Sequence, residues 1–288
     1  MSPLVESFYD PATATFTYVV YDHEGGRAAI IDPVLDFDLA SARISTISAD
    51  RVLEFAAEQD LSIDWILETH AHADHLTAAA YLKEKTGAPV AIGRGIVAVQ
   101  ARFKTLFGLA DLPADGSQFD RLFDDGDTFD IGQLEARAIA TPGHTDDSLS
   151  YLIGDVAFIG DTMFAPETGT ARVDFPGGDA RKLYHSIQKL LALPASTRIF
   201  LCHDYPKDRA AQAETSVEEQ NARNVHVNSN TSEDDFVRRR TERDATLAPP
   251  KLILPALQVN IRAGQLPEPD ANGVRYLRLP LNQLGVVS

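Results

Sequence analysis

Residues 69–75 read Thr69-His70-Ala71-His72-Ala73-Asp74-His75, and they directly follow an apolar segment, residues 63–68. The composition of this preceding segment predicts a buried strand. A single histidine is usually an ordinary core or surface residue. Three imidazoles and one carboxylate within six positions are difficult to explain in that way. The stretch therefore predicts a metal site at the end of a strand.

The spacing of these four ligand-type side chains also predicts a local geometry. In an extended segment alternate residues point to the same side, so we expect His70 and His72 to face one way. Asp74 is predicted to cap the next helix, over residues 74–85. Imidazole and carboxylate ligands together suit zinc, iron, manganese or nickel, so the ligand types alone do not select the metal.

Three other polar motifs follow predicted strands. Because α/β folds place their sites at the carboxyl ends of strands, we expect these motifs to converge on one edge of a sheet. Each motif alone has an ordinary explanation as a turn or a strand end, but their combination with the first stretch favours one shared centre. They are Thr141-Pro-Gly-His144, Gly160-Asp161-Thr162 and Cys202-His203-Asp204.

Strands and helices alternate along the chain, which predicts an α/β fold. Residues 15–21 and 27–31, around turn residues at 22–26, predict a hairpin and argue against a purely parallel sheet. The acidic stretch 109–126 is predicted to be an exposed excursion. Further strands are expected near residues 90–92, 135–140, 149–153, 156–159 and 198–201, and helices over 49–60, up to about 106, and over 179–191.

The tail beyond residue 204 has a different character. Residues 210–223 and 232–245 predict charged, exposed helices, and several prolines interrupt the sequence after them. Four arginines fall within residues 238–243. We interpret this cluster as a solvated helix face, because Glu242 and Asp244 lie beside it.

Composition excludes several classes of protein. The chain has 288 residues, 44% hydrophobic and 24% charged, which is typical of a globular protein. A formal net charge of −16 disfavours binding to nucleic acid or to an anionic membrane surface.

A single cysteine, Cys202, excludes an internal disulfide and is predicted to be a small buried residue. With no apolar run near the roughly 20 residues of a membrane span and no signal-peptide pattern, we expect a cytoplasmic protein.

The set HAHADH, GH, GD and HD, in this order across about residues 14–207, resembles the metallo-β-lactamase fold family. The resemblance implies an α/β fold, a four-layer αββα sandwich with its metal centre at one edge of two sheets. We expect one domain over residues 1–288, with a core at about 14–207 and a C-terminal helical and extended tail at about 208–288. The family is chemically diverse, so the fold does not decide the reaction.

Finer features resemble the persulfide dioxygenase group of that family. Residues 169–178, GTARVDFPGG, are similar to the GxxRxDF segment of the group, and residues 75–79, 201–205 and 257–264 also resemble it. The chain is more similar to the longer bacterial forms of the group, such as the β-lactamase-hydrolase-like proteins, than to its compact members. The resemblance implies oxidation of glutathione persulfide with O₂ to sulfite and glutathione, and it also implies a homodimer formed through the tail.

The ligand pattern itself supports two interpretations. The dioxygenase resemblance implies one Fe(II) held by His70, His144 and Asp161, a facial triad with open positions, while His72, Asp74, His75 and His203 orient the ligands. The alternative is two zinc ions in a glyoxalase II-like thioester hydrolase that uses a metal-activated water. In that case one ion would bind His70, His72, His144 and Asp161. The second ion would bind Asp74, His75, Asp161 and His203. A metal-stabilised scaffold without turnover is a weaker third hypothesis, because structural sites are usually closed.

Substrate contacts are predicted from charge and position. Glutathione carries two carboxylates, which arginine can pair in a bidentate manner. We expect Arg172 and Arg262 to be candidates, with pairing to a local carboxylate such as Asp174 as the alternative for each. Asp174 is itself a further candidate contact. Tyr205, beside His203, is expected either to contact substrate or to pack at the strand exit.

Overall fold

The computed structural model describes residues 2–206 and 208–283, and within them it contains fifteen strands and seven α-helices. The strands are β1 (Leu4–Asp10), β2 (Thr15–Tyr21), β3 (Arg27–Ile31), β4 (Val34–Asp38), β5 (Arg43–Ser45), β6 (Ser62–Leu67), β7 (Leu76–Thr77), β8 (Val90–Gly93), β9 (Arg121–Phe123), β10 (Thr128–Ile131), β11 (Leu134–Ala140), β12 (Leu149–Ile153), β13 (Val156–Phe158), β14 (Arg198–Phe200) and β15 (Glu214–Ser216). The helices are α1 (Ile47–Glu58), α2 (Ala79–Thr86), α3 (Ile96–Phe107), α4 (Ala180–Leu191), α5 (Val217–Arg223), α6 (Glu233–Asp244) and α7 (Ile253–Asn260).

Two mixed six-stranded sheets form the centre of the molecule. The first has the order β1-β2-β3-β6-β8-β9, and its strands β3, β6, β8 and β9 are parallel to one another. The second has the order β10-β11-β12-β13-β14-β15, with a parallel pair at β13 and β14. A small three-stranded sheet, β5-β4-β7, lies beside them. The predicted hairpin of residues 15–21 and 27–31 is confirmed as β2 and β3.

Alternation along the strands sorts the side chains into layers. In β2, Tyr18 and Val20 belong to the core between the two sheets, whereas Val19 belongs to the core beneath the helices of the first sheet. In β13, Phe158 faces the other sheet, and Ala157 faces a third core that includes residues of α4 and α6. The protein is therefore an αββα sandwich, as the family resemblance implies.

The helix predicted over residues 74–85 begins later than expected. Residues 76–77 instead pair with β4, where Leu76 faces Leu35 and Thr77 faces Val34. The Thr77 hydroxyl then accepts the backbone N–H of Ala79, the first residue of α2. Asp74 is therefore not the N-cap of α2, and its carboxylate is not engaged in capping that helix.

The stretch 109–126 is not an exposed excursion throughout. Leu109, Leu112 and Phe119 are buried in the core beneath α3, and residues 121–123 form strand β9 at the edge of the first sheet. Acidic residues alternate with these apolar anchors, which explains why the stretch resembles a solvated loop in the sequence.

The tail also differs from the prediction. Helix α5 starts only at Val217, because residues 214–216 extend the second sheet as β15. Helix α6 is not exposed on all faces, since Phe236, Arg240 and Asp244 are buried. Helix α7 was not predicted, but Pro255 lies in its first turn, where the missing N–H costs no hydrogen bond. None of the helices within 2–206 and 208–283 is long and apolar enough to cross a membrane.

Asn260, the last residue of α7, joins the tail to the histidine-rich stretch. Its Oδ1 accepts the Thr77 N–H at 2.9 Å. Its Nδ2 donates to the carbonyl oxygens of His72 and His75, both at 2.8 Å. Because these residues are buried, loss of the amide would leave buried polar backbone groups without this partner.

We expect Asn260→Ala to lower the free energy of unfolding by roughly 2 to 4 kcal/mol, since it leaves three buried backbone groups without a partner. Urea denaturation followed by circular dichroism measures this difference. Asn230→Ala is the matched control, because Asn230 is exposed, and it should change stability by less than about 0.5 kcal/mol. We also expect one cooperative transition for residues 1–288. Separate unfolding of the tail, or equal effects of both substitutions, would contradict these expectations.

Candidate metal centre

The predicted ligands lie just beyond the ends of four strands. His70 follows β6 in the first sheet, whereas His144, Asp161 and His203 follow β11, β13 and β14 in the second. The two sheets are joined at this end, because Phe16 donates its backbone N–H to the Cys202 carbonyl at 2.8 Å. The ligands therefore come from both halves of the sandwich.

His70, His144 and Asp161 form one compact group. One ligand atom from each lies within 4.8 Å of the others, and all three residues are buried. The Nε2 atom of His144 is 3.6 Å from the Asp161 Oδ2 atom. The rings of His70 and His144 are 5.2 Å apart between centroids and nearly perpendicular. Two imidazoles and one carboxylate thus converge on one point.

The remaining four residues lie in the same place. His203 Nε2 is 3.2 Å from Asp74 Oδ2 and 3.3 Å from Asp161 Oδ1. His72, Asp74 and His75 form a further group whose ligand atoms are within 4.8 Å of one another. The seven predicted residues therefore lie in one region, but His72, which was expected in the first set, groups with Asp74 and His75 and not with His144 and Asp161.

Hydrogen bonds orient the imidazoles toward the centre. His144 Nδ1 lies 2.7 Å from the Arg172 carbonyl and His203 Nδ1 lies 3.1 Å from the Ala14 carbonyl, so each Nδ1 carries the proton. Each Nε2 is then left with a free lone pair. Within residues 2–206 and 208–283, the buried Nε2 atoms of His70, His75 and His203 have no hydrogen-bond partner. Buried nitrogens left in this way fit a metal ion, which would satisfy them together.

Asp32 was not predicted, although it organises the histidine-rich stretch. It follows β3, and its carboxylate accepts the Thr69 N–H at 2.7 Å and the Thr69 hydroxyl at 2.9 Å. It also lies 3.0 Å from His72 Nε2. Thr69 Oγ1 is in turn 3.0 Å from His70 Nδ1, so a chain of hydrogen bonds joins Asp32 to that ring. A carboxylate directly after a strand was the signal that could have identified it.

The electrostatics of His70, His72 and Asp74 favour the forms that bind metal. His203 differs, because burial would lower its pKa but Asp161 and Asp74 outweigh that effect and raise it. Burial holds the pKa of both His70 and His72 well below the usual histidine value, so these imidazoles are neutral. Burial would raise the pKa of Asp74, but the nearby imidazoles, His203 foremost, outweigh it and hold that pKa well below the usual value. Neutral imidazole and ionised carboxylate are the states that a metal needs.

A cavity of about 370 Å³ opens onto this centre. Asp74, His144, Asp161 and His203 are among the residues that line it. The apolar side chains of its lining include Phe164, Phe175, Leu247 and Pro250. Three arginines and one histidine also line it: Arg172, Arg240, Arg243 and His226. His226 was not predicted, and nothing in its local sequence distinguishes it.

The predicted substrate residues divide into two groups. Arg172 and Tyr205 line the cavity. Arg172 is also held in place, because it forms a bidentate pair with Asp174 through two contacts of 2.6 Å and donates to the Ala248 carbonyl. Tyr205 stacks on His203, with ring centroids 5.9 Å apart.

Arg262 and Asp174 are not among the described residues that line the cavity. Arg262 pairs with Asp111 at 3.0 Å, because the C-terminal end of α7 points toward the stretch that follows α3. The expected contact between Arg262 and substrate therefore does not fit this cavity. Cys202 is buried as expected, and its sulfur is 3.8 Å from Asp32 Oδ2.

Comparison with known proteins places this geometry in a family. A sequence profile described as "Metallo-beta-lactamase superfamily" matches residues 10–203. A protein of Burkholderia pseudomallei named "Probable metallo-hydrolase" is 51% identical, over 97% of this chain and 99% of its own length. A "Beta-lactamase hydrolase-like protein" of Agrobacterium fabrum is 52% identical over 98% of this chain, which spans 65% of that protein's length.

More distant similarity extends to persulfide dioxygenases. The human protein named "Persulfide dioxygenase ETHE1, mitochondrial" is 31% identical over 70% of this chain and 68% of its own length. The crystal structure of ETHE1 from Myxococcus xanthus superposes with a TM-score of 0.73 at 33% identity, covering 91% of this chain and all of that one. With its matching sequence profile, its sandwich fold and its convergent histidines and aspartates, the chain belongs to the metallo-β-lactamase superfamily.

Proposed function

We propose that this protein is an iron-dependent persulfide dioxygenase that oxidises glutathione persulfide with O₂ to sulfite and glutathione. The observation that carries the proposal is the buried group of His70, His144 and Asp161, of which His144 and Asp161 line a largely apolar cavity. The named activity of the human relative supports it at 31% identity. The proposed cofactor is one Fe(II) per chain, and the proposed substrates are glutathione persulfide and O₂.

The donor set of this group suits the proposed ion. Iron held by two imidazoles and one carboxylate supplies redox chemistry with O₂ and leaves coordination positions open for a sulfur substrate. The Arg172 carbonyl fixes the His144 ring, and Thr69 does the same for His70. In this proposal, the aromatic side chains of Phe164 and Phe175 exclude water from the persulfide.

The proposed reaction balances with one water. Glutathione persulfide, O₂ and water give glutathione, sulfite and two protons. The bond between the two sulfurs breaks, the terminal sulfur is oxidised to sulfite and O₂ is reduced. The inner sulfur leaves as the glutathione thiol.

A metal-dependent thioester hydrolase is the second candidate. It is favoured by the close approach of His203 to both Asp74 and Asp161, which would serve a second metal ion. The name of the 51% identical relative also supports it. This activity needs neither O₂ nor a redox-active metal, only a metal-activated water. Experiments that vary the metal and the oxygen therefore separate the two candidates.

Elemental analysis of protein purified without added metal should return about one iron per chain. His70→Ala and Asp161→Ala should abolish iron binding because each removes a proposed ligand, whereas His203→Ala should retain part of the iron. His185→Ala is the matched control, since His185 is exposed on α4 and should keep full iron content. Two zinc ions per chain with little iron, or equal metal loss from all three site variants, would favour the hydrolase.

Glutathione persulfide should drive O₂ uptake with an equal yield of sulfite, measured with an oxygen electrode and a sulfite assay. S-lactoylglutathione should be hydrolysed poorly or not at all. Thioester cleavage that runs equally well without oxygen, with no persulfide-dependent O₂ uptake in iron-loaded protein, would overturn the proposed function.

Asp32→Asn tests the hydrogen bonds behind the ligands. The amide keeps the size of the carboxylate but cannot accept all of the donors from Thr69 and His72. Metal affinity, measured by competition with a chelator, should fall about 10- to 100-fold. Asp130→Asn, at an exposed position in β10, is the control and should leave the affinity unchanged. Unfolding of the metal-free protein separates a general loss of stability from a loss of metal binding. An unchanged affinity in Asp32→Asn would refute this positioning role.

A further inference from the structure

Helix α6 carries the arginine cluster that we interpreted from the sequence as a solvated face. Two members of that cluster, Arg240 and Arg243, instead line the cavity together with His226. The candidate ligands Asp74, His144, Asp161 and His203 line the same cavity. The cavity therefore presents cationic side chains and candidate metal ligands to the same space.

Arg240 is fully engaged within the protein. Its side chain is 4% exposed and pairs with Asp244, through an Nε–Oδ1 contact of 2.9 Å. Its Nη1 donates to the Thr170 carbonyl at 3.0 Å. These bonds hold α6 against the segment that contains Thr170, so Arg240 is a structural residue of the cavity wall.

His226 is a neutral partner in this wall. Its Nδ1 accepts the Thr170 N–H at 3.0 Å. Burial and the charges of Arg240 and Arg243 lower the pKa of His226 to about 4, so it carries no charge near neutral pH. The wall at this point thus presents a neutral ring between two guanidinium groups.

Arg243 differs from Arg240 because its charge is not neutralised. It is exposed, and within the described part of the chain no carboxylate oxygen lies within 4.0 Å of it. Other cavity arginines are paired, Arg172 with Asp174 and Arg240 with Asp244. In a chain with 42 acidic and 26 basic residues, a guanidinium without an acidic partner at a cavity mouth is available for an anion from solution.

We propose that Arg243 is the specificity-determining residue that binds a carboxylate of the glutathione moiety while the persulfide end lies at the metal centre. This inference rests on the proposed function for the identity of the substrate. It replaces Arg262, which pairs with Asp111 outside the cavity. The cavity, at about 370 Å³, is within the usual range of roughly 300 to 1,000 Å³ for small-molecule sites.

Binding of S-methylglutathione, measured by titration calorimetry, tests this role without any turnover. The thioether carries both carboxylates of glutathione and cannot be oxidised or hydrolysed like the proposed substrates. Its diethyl ester removes both negative charges. We expect the wild-type protein to bind the acid form roughly two- to fivefold more tightly than the ester, a range typical of an exposed ion pair. This preference should decline with added salt.

Arg243→Ala should bind the acid and ester forms equally, with no salt dependence of the difference. Arg243→Lys should retain part of the preference, because it keeps the charge but loses the planar fork. Arg238→Ala is the matched control, since Arg238 is exposed on the same helix, pairs with Asp235 and is not part of the cavity lining. It should keep the full wild-type preference.

The outcomes separate this proposal from the proposed function. An undiminished preference for the acid form in Arg243→Ala, or no such preference in the wild type, would overturn the role of Arg243. Either result leaves the dioxygenase activity to be decided by O₂ uptake alone. Conversely, a protein that cleaves thioesters without O₂ but loses its acid preference in Arg243→Ala would support Arg243 and refute the dioxygenase.

Discussion

The packing of the two sheets against each other is the constraint on which the candidate centre depends. His70 follows a strand of one sheet, whereas His144, Asp161 and His203 follow strands of the other. The ligands therefore meet only while the two sheets keep their relative position. Aromatic side chains between the sheets hold this position. Tyr18 of the first sheet packs on Phe158 and Phe200 of the second, at centroid distances of 5.2 and 5.3 Å. The Tyr18 hydroxyl also donates to the Leu201 carbonyl, close to His203.

A second level of order comes from buried polar groups around the ligands. Asp32 anchors Thr69 and His72, and Asp147 accepts the N–H of Ala71 at 2.8 Å. Asn260 holds the carbonyls of His72 and His75 from the other side. These contacts fix an irregular segment that has no regular backbone pairing of its own. The geometry of the centre therefore depends on Asp32, Asp147 and Asn260, which lie outside the two predicted ligand sets.

The C-terminal tail contributes to the proposed active site in two places. Helix α7 supports the histidine-rich stretch, while α6 supplies one wall of the cavity. Arg172 connects the two regions, because it pairs with Asp174 and donates to the carbonyl of Ala248 in the tail. Its backbone carbonyl also fixes the ring of His144. A change in the tail can thus reach the ligands through few intermediate contacts.

Residue patterns alone predicted an α/β fold, the hairpin and the convergence of the polar motifs, because strand periodicity and ligand chemistry are local properties. The αββα sandwich and the grouping of His70, His144 and Asp161 came from the family resemblance. The contributions of Asp32, His226 and Arg243 became apparent from the packing, because all three lie far from residues 69–75 in the chain. Arg243 and Arg262 are equivalent as arginines in the tail, yet one lines the cavity and the other pairs with Asp111. The physical reason is that a side chain's partner depends on how its helix packs against distant segments, and residue type alone carries no information about that packing.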